Sequence, residues 1–517
     1  MTYVIIGGGI AGVSCAEELS RLDASAEIIL ISASQLIKSV TNFKKVARTL
    51  EEFDVKETSV SQLSQAYPNI RVILLAVVEL SYQDHTVRLL NGEVIHYCKL
   101  CICTGGVPKL IAKDNPRVIG IRDTESVQEF QRKLSDSRRI VVVGNGGIAV
   151  ELVYEVTGCE VVWAIKHQSI GHAFFDAGAA AFFLSSLEDR GHKGESQVGS
   201  IRKQQKYVLD TSSAAGNASG SCEPKAVSGV AAAGSALGPD WSSDLNMCGK
   251  QAGRHIHVEY KCEVEIILTP SEVEAKGLTT APFPERVVSQ SPRLLGDVKR
   301  SRLDEDWPVY VQLTNSKVFG CDLIVSATGV MPNGAAFAKW CRDGEGEMKL
   351  AEDGGIVVDP EMRTSVADVY AAGDVCTPTW SQQSPLWFQM RLWTQARQMG
   401  TYAARCMVAH SRGEEISLDF CFELFAHSTK FFGFKVILLG KYNGQGLGED
   451  CEVLLRYTKG LEYVKVVVHG GKMVGAVLIG DTDLEETFEN LILNQMDITR
   501  FGESLLDPDI DIEDYFD

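Results

Sequence analysis

The sequence predicts an α/β fold built from two Rossmann-like nucleotide-binding domains and a C-terminal α+β domain. Three observations carry that prediction. A strand–glycine turn–helix pattern opens the chain at Tyr3. A second one opens at Arg139, about 137 residues further on. From Phe420 a series of strand-length apolar runs follows and closes on a single helical pattern. At roughly 100–200 residues per domain, a chain of 517 residues holds about three domains.

Each element has its own signal. Tyr3 to Ile6 is an apolar strand, Gly7-Gly8-Gly9-Ile10-Ala11-Gly12 a turn, Val13 to Leu22 a helix by its periodicity, and Glu27 to Ile31 the next strand. The second unit repeats this order. Ile140 to Val143 is a strand, Gly144-Asn145-Gly146-Gly147-Ile148-Ala149 a turn, Glu151 lies on the following helix, and Glu160 to Ile165 is a strand. Residues 188–234 are rich in Gly, Ser, Ala, Lys and Gln and lose apolar periodicity, which predicts a flexible insertion. Ser384-Pro385 reads as a helix start, with the helix running from Leu386 through Arg405. Phe434 to Leu439, Val453 to Tyr457, Tyr463 to Val468 and Met473 to Ile479 read as strands. A helix from Leu484 to Leu493 follows, capped by Asp481-Thr482-Asp483, and the last fifteen residues read as a solvated acidic tail. The expected boundaries are 1–125 with 322–412 for the first domain, 126–321 for the second, and 413–517 for the third.

Composition narrows the function. Lys+Arg number 50 against 68 Asp+Glu, a formal net charge of -18. That balance argues against nucleic acid and against an anionic membrane surface as partners. The chain enters a strand at once, its longest apolar runs are strand-sized, and its 14 Cys show no zinc spacing. These features predict reduced thiols, no metal centre and a cytoplasmic location, with the nucleus also open.

The turns carry the chemistry. Gly7 permits the tight bend, Gly9 admits a pyrophosphate to the backbone, and Gly12 lets helix and strand pack closely, with Ala11 between them. The exposed N–H groups and the helix dipole then hold the diphosphate. An acidic residue is expected about 20 residues on for the ribose, yet Ser32 occupies that place. In the second turn Gly144, Gly146, Gly147 and Ala149 repeat the pattern. The strand after it ends in Ile165-Lys166-His167 rather than in an acid. Lys166 either pairs with a nucleotide 2′-phosphate or is a solvated surface lysine.

Five motifs occur in order. They are Gly7 to Gly12; Cys103-Thr104-Gly105-Gly106 with Pro108; Gly144 to Glu151; Ser326-Ala327-Thr328-Gly329 with Pro332-Asn333; and Thr364 to Val375, which contains Ala371-Ala372-Gly373-Asp374-Val375. With them the chain resembles the flavoproteins of the pyridine nucleotide-disulphide oxidoreductase family over about residues 3–410, apart from the insertion. The resemblance implies domains of the glutathione-reductase type, with FAD on the first loop and NADPH or NADH on the second. It implies cofactor contacts from Ser32, Lys38, Thr104, Gly105, Thr328, Gly329 and Gly373, and ribityl hydroxyls bound by Asp374. It also places the N-terminus of the helix predicted from Leu386 against the flavin pyrimidine edge. Trp387, Phe388 and Trp393 then shield the ring or pack the core. Glu151 would pair with Lys44 (or, failing that, Lys45) beside flavin N5 as the catalytic pair. The C-terminal region falls where the family has its interface domain, so a homodimer is possible. His427 there is expected to be structural.

The sequence departs from the family at the redox disulphide, where Leu36 and Thr41 stand in place of the cysteines. Cys101 and Cys103, two apart on one strand, read as core thiols. The expected function is therefore an FAD-dependent NAD(P)H oxidoreductase without a dithiol relay, serving redox homeostasis or the oxidative-stress response. Its electrons pass to oxygen, a quinone, a small electrophile or a redox protein. The alternative is an NAD(P)H-gated flavoprotein that binds or protects a partner protein and turns over slowly.

Overall fold

A computed structural model describes residues 1–189, 205–208, 246–251, 255–284, 306–340, 347–448 and 451–507. The chain divides into two compact units, one of Met1–Val107, Ala181–Trp241 and Val330–Asp517, the other of Pro108–Ala180 and Ser242–Gly329.

The first unit is organised by a five-stranded parallel sheet in the order Val369–Ala371, Lys99–Ile102, Thr2–Ile6, Glu27–Ile31, Ile70–Ile73. The strand Thr2–Ile6 is paired on both edges, and Val4, Ile5 and Ile6 are buried. A central parallel strand is covered on both faces, hence the unbroken apolar run. The helix Ile10–Leu22 starts directly after Gly9 and packs against a long helix, Trp393–Arg412. Their contact is close enough that a Cβ on Gly400 would lie 2.2 Å from the Ala11 carbonyl oxygen. An antiparallel hairpin, Ile37–Lys45 with Glu51–Thr58, follows the second strand and bulges at Asn42 and Phe43.

The same unit holds a six-stranded antiparallel sheet in the order Gln205–Val208, Cys451–Thr458, Glu462–His469, Lys472–Ile479, Phe434–Gly440, Ala426–Phe431. The helix Glu485–Asn494 lies on it, and Phe488, Leu491 and Ile492 join Ile437, Leu439, Val464, Val466 and Leu478 in one core.

The second unit repeats the layout. Its parallel sheet runs Val118–Ile119, Leu323–Ser326, Arg139–Val143, Glu160–Ala164, His255–Glu259, beside a three-stranded antiparallel sheet.

Several expectations are corrected. The long helix begins at Trp393 and runs to Arg412, not Leu386 to Arg405. Arg391 has φ 56°, a backbone turn that no helix interior accommodates, so Ser384-Pro385 opens a loop instead. Asp481-Thr482-Asp483 do not cap the C-terminal helix, whose N-cap is Leu484 without a side-chain bond. A helix, Ala177–Asp189, reaches into the expected insertion, and Gln205–Val208 within it pairs with Glu452–Leu455 as an edge strand. The remainder of the 188–234 insertion lies outside the described residues. The tail begins as a helical turn, Gly502–Leu506, whose Leu505 and Leu506 are buried in the C-terminal core. The acidic residues from 508 onward lie outside the described residues.

Candidate functional site

The predicted residues of the first unit collect at the carboxyl ends of its parallel strands. Gly7 to Gly12 follow Thr2–Ile6, Ser32 follows Glu27–Ile31, Thr104 and Gly105 follow Lys99–Ile102, and Gly373 with Asp374 follow Val369–Ala371. Open α/β sheets bind ligands at this edge, where connections leave to both sides.

The glycines there have distinct jobs. Gly7 has φ 126°, and a Cβ on it would lie 2.2 Å from the Cys103 carbonyl oxygen. A Cβ on Gly12 would lie 1.9 Å from the Gly7 carbonyl oxygen. Both positions exclude any side chain. Gly9 differs, because a Cβ on it meets nothing within 4 Å. The loop is therefore closed behind and open in front, the form a backbone cradle for a diphosphate requires.

Around the loop, Ser32 is buried, and its hydroxyl donates to the Ser34 carbonyl at 2.8 Å. The half-buried Lys38 donates its backbone N–H to the Gly8 carbonyl at 3.0 Å and ties the hairpin to the loop. The Thr104 hydroxyl donates to the Asn333 carbonyl at 3.3 Å, and Gly105 accepts from the Asn333 N–H at 2.9 Å. Gly373 takes φ 81° and starts a short turn that carries the buried Asp374.

The second unit uses the same device. Gly144 has φ 132°, and its Cβ would lie 2.0 Å from the Ala327 carbonyl oxygen. Gly146 caps the helix Gly147–Glu155, in which Ala149 and Glu151 are buried. The Thr328 hydroxyl donates to the Lys109 carbonyl at 2.7 Å, and the Gly329 carbonyl accepts from the Lys109 N–H at 2.9 Å. Lys166 is exposed just beyond the strand Glu160–Ala164. Sequence reading gave Asn145 no role. Its side chain donates to the Ser169 carbonyl at 2.8 Å, lies 3.2 Å from His167 Nδ1 and accepts from the Gly171 N–H at 2.6 Å. This binds the turn to the segment after the strand and holds His167 stacked on His172 at 4.0 Å.

Lys44 is exposed on the outer hairpin in the first unit, opposite Glu52, whereas Glu151 belongs to the second unit. His427 is fully buried, its Nδ1 3.0 Å from the Thr394 hydroxyl and its ring edge-on to Trp393. Burial lowers its pKa to about 3, so it is neutral, and its Nε2 has no partner among the described residues. Trp387 packs against Trp380 and Phe422, and Phe388 stacks on Phe425.

Cys101 and Cys103 are separate buried thiols, 3.5 Å apart. Hydrogen bonding to Cys101, then burial, hold the Cys103 thiol well above its ordinary pKa. One C-x-x-C spacing occurs, Cys98-Lys99-Leu100-Cys101. Cys98 is exposed and Cys101 is buried, and odd spacing along an extended segment turns side chains to opposite faces.

The family model for pyridine nucleotide-disulphide oxidoreductases matches residues 1–218 and 293–400. The chain belongs to that family. A second model, the rubredoxin NAD+ reductase C-terminal domain, matches residues 426–496. The human pyridine nucleotide-disulfide oxidoreductase domain-containing protein 1 is 52% identical over 517 residues, covering 100% of this chain and 98% of that protein. Its Dictyostelium discoideum counterpart is 39% identical, covering 99% of each. Among solved structures, the putidaredoxin reductase–putidaredoxin complex is matched with a TM-score of 0.63 and 14% identity, over 100% of this chain and 98% of that one. The water-forming NADH oxidase from Lactobacillus brevis is matched with a TM-score of 0.61 and 16% identity, over 99% and 95%. Members of this family are FAD-dependent pyridine nucleotide oxidoreductases that bind FAD and NAD(P)H. No helix of the described residues is long and apolar enough to cross a membrane.

Proposed function

We propose that this chain oxidises NAD(P)H through FAD without a protein dithiol and passes the electrons to an acceptor other than its own cysteines. The observation that carries this reading is the repeated glycine cradle, open in front at Gly9, with no cysteine on the hairpin that follows the first site. FAD, when bound, supplies a ring that accepts hydride from the nicotinamide. The residues do the rest. Gly7 and Gly12 would hold the loop shut behind the diphosphate, the helix Ile10–Leu22 would direct its positive end at it, and Asp374 would accept from ribityl hydroxyls. A role in redox homeostasis fits this chemistry.

We further propose that NADPH is preferred to NADH. Lys166, His167 and His172 gather beside the second loop. Burial, with His172 and Lys166 alongside, lowers the pKa of His167 to about 4. A bound 2′-phosphate opposes that shift, so binding takes up protons, and the preference for NADPH grows as pH falls from 8 toward 5. Lys166→Ala should cut the NADPH/NADH affinity ratio about tenfold, the effect of ~1.4 kcal/mol. An unchanged ratio, or one flat with pH, removes this preference.

The main reading is tested at Gly9, because a side chain there damages no packing. Gly9→Val should give a folded, colourless protein, and Gly146→Val a yellow one that NADPH no longer bleaches under anaerobic conditions. A Gly9→Val protein that keeps full flavin absorbance defeats the assignment. Reduced protein that persists in air for many minutes would favour the partner-binding alternative over turnover.

A further inference from the structure

The segment 384–392, between the Asp374 turn and the long helix, is irregular yet firmly bound. The Gln389 side chain donates to the Cys376 carbonyl at 2.9 Å. The Met390 N–H donates to Gln395 Oε1 at 2.8 Å, and Gln395 Nε2 donates to the Phe388 carbonyl at 2.7 Å. At its end stands Arg391, with a side chain 1% exposed and a backbone in the left-handed region. Such a conformation in a buried non-glycine residue needs compensation from its surroundings.

The compensation is a three-way clasp. Arg391 Nε donates to the Asp374 carbonyl at 3.1 Å, and Nη2 donates to Asp353 Oδ2 at 2.5 Å and to the Thr377 hydroxyl at 3.0 Å. Asp353 is fixed in turn by the Gly355 N–H at 2.9 Å and by the Thr377 hydroxyl at 2.9 and 3.1 Å. The approach is tight, since a Cβ on Gly355 would lie 2.1 Å from the Thr377 hydroxyl oxygen. A guanidinium suits this place because its planar fork bonds several acceptors at fixed angles, whereas an ammonium is a point charge.

We infer that Arg391, held by Asp353, is a positioning residue that fixes the Gly373–Val375 turn and so aims the Asp374 side chain at the ribityl and phosphate part of FAD. A fixed 374 carbonyl fixes the peptide plane that follows it and so restrains the backbone from which the Asp374 side chain leaves. Arg391 also lies two residues before the long helix, so one side chain sets both the turn and the start of that helix. The inference rests on FAD occupying the first loop.

The test compares FAD with ADP, which reports the glycine-loop half of the site alone. Apoprotein of the wild type, Arg391→Lys, Arg391→Met and Asp353→Asn is titrated with each ligand, and the visible circular dichroism of bound flavin is recorded. The inference expects Arg391→Met and Asp353→Asn to weaken FAD at least tenfold, leave ADP within twofold and alter the flavin dichroism. Arg391→Lys should recover thermal stability without recovering FAD affinity. If Arg391→Met does not fold, Asp353→Asn, which keeps the shape of the side chain, decides alone. Unchanged FAD affinity and dichroism in these variants overturn the inference, as does parallel loss of FAD and ADP, which marks general collapse. A wild type that takes up no FAD overturns the reading of the first loop itself.

Discussion

Glu17, half-buried on the helix Ile10–Leu22, feels the charge of Arg397, a residue already bonded to Glu51 at 2.7 Å. Burial raises the Glu17 carboxyl to about 7, and Arg397 offsets only part of that rise. Between about pH 4.5 and 7 the folded protein therefore holds a proton that the unfolded chain has released. The stability this adds is complete below the unfolded value and is lost as pH climbs through the folded one. Glu17→Gln should accordingly stabilise the protein at pH 8 by on the order of 1–2 kcal/mol and leave pH 5 nearly unchanged. Urea denaturation at the two pH values measures this, and equal effects at both would sink it. The same scale shows which residues a sequence can reveal. Gly7 and Gly144 were legible because what they need, a positive φ and room for a neighbouring carbonyl, recurs within a short motif. Arg391, Asn145 and Glu489 were not, because their meaning lies in distant partners. Glu489, fully buried, accepts the N–H groups of Arg48, Thr49 and Leu50, the Thr49 bond spanning 440 residues.

Elements were legible where one period dominated. The four strands read between Phe434 and Ile479 and the helix after them are present with ends shifted by a few residues at most. Alternation and apolar runs are local, and each strand pairs with a sequence-near partner, so tertiary context did not override them. The long helix failed at its start, because Ser384-Pro385 is a good N-terminal signal and nothing local announces the turn at Arg391. The edge strand Gln205–Val208 was hidden for a related reason. Four residues are too few to show a period, and this pairing is to residues 452–455. The helix before it, Ala177–Asp189, supplies Phe182 and Phe183. Phe182 packs edge-on to Phe434 at 5.0 Å and Tyr457 at 5.9 Å, and Phe183 stacks on Phe432 at 4.9 Å. Phe182→Ala should therefore cost about 3–5 kcal/mol, the usual penalty for emptying an aromatic site in a core. Chemical denaturation would read the loss, and a cost below ~1 kcal/mol would mean that this helix contributes little to the C-terminal sheet.

At the scale of the whole molecule, most of the described thiols are packed into the interior. Cys15, Cys101, Cys103, Cys376 and Cys406 all lie buried in the core of the first unit. Burial is the main cause that carries Cys406 to about 12, with Glu361 and Asp359 adding to it, and in the second unit burial, then the charges of Cys248, Glu160 and Asp322, carry Cys159 to about 12. A thiol so protonated is a poor nucleophile at neutral pH. Leu36 and Thr41, where the family's sulfurs are expected, carry no electrons, and the hairpin around them is a β-ribbon bonded to the glycine loop through Lys38. Among the described cysteines Cys98 and Cys248 are exposed, one preceding a strand of the first sheet and the other in the second unit. Of the described cysteines, iodoacetamide should therefore modify these two first, which peptide mass spectrometry would verify. Because neither has an electron-carrying role in this reading, anaerobic bleaching of the flavin absorbance by NADPH should keep its rate within about twofold after modification, a change of less than ~0.5 kcal/mol in the barrier. Stopped-flow mixing of modified and untreated protein makes the comparison. A loss of rate that rises in proportion to the modification of Cys98 would contradict the dithiol-free reading and turn attention to the Cys98–Cys101 spacing. Disulphide reductase turnover that alkylation abolishes would contradict it as well.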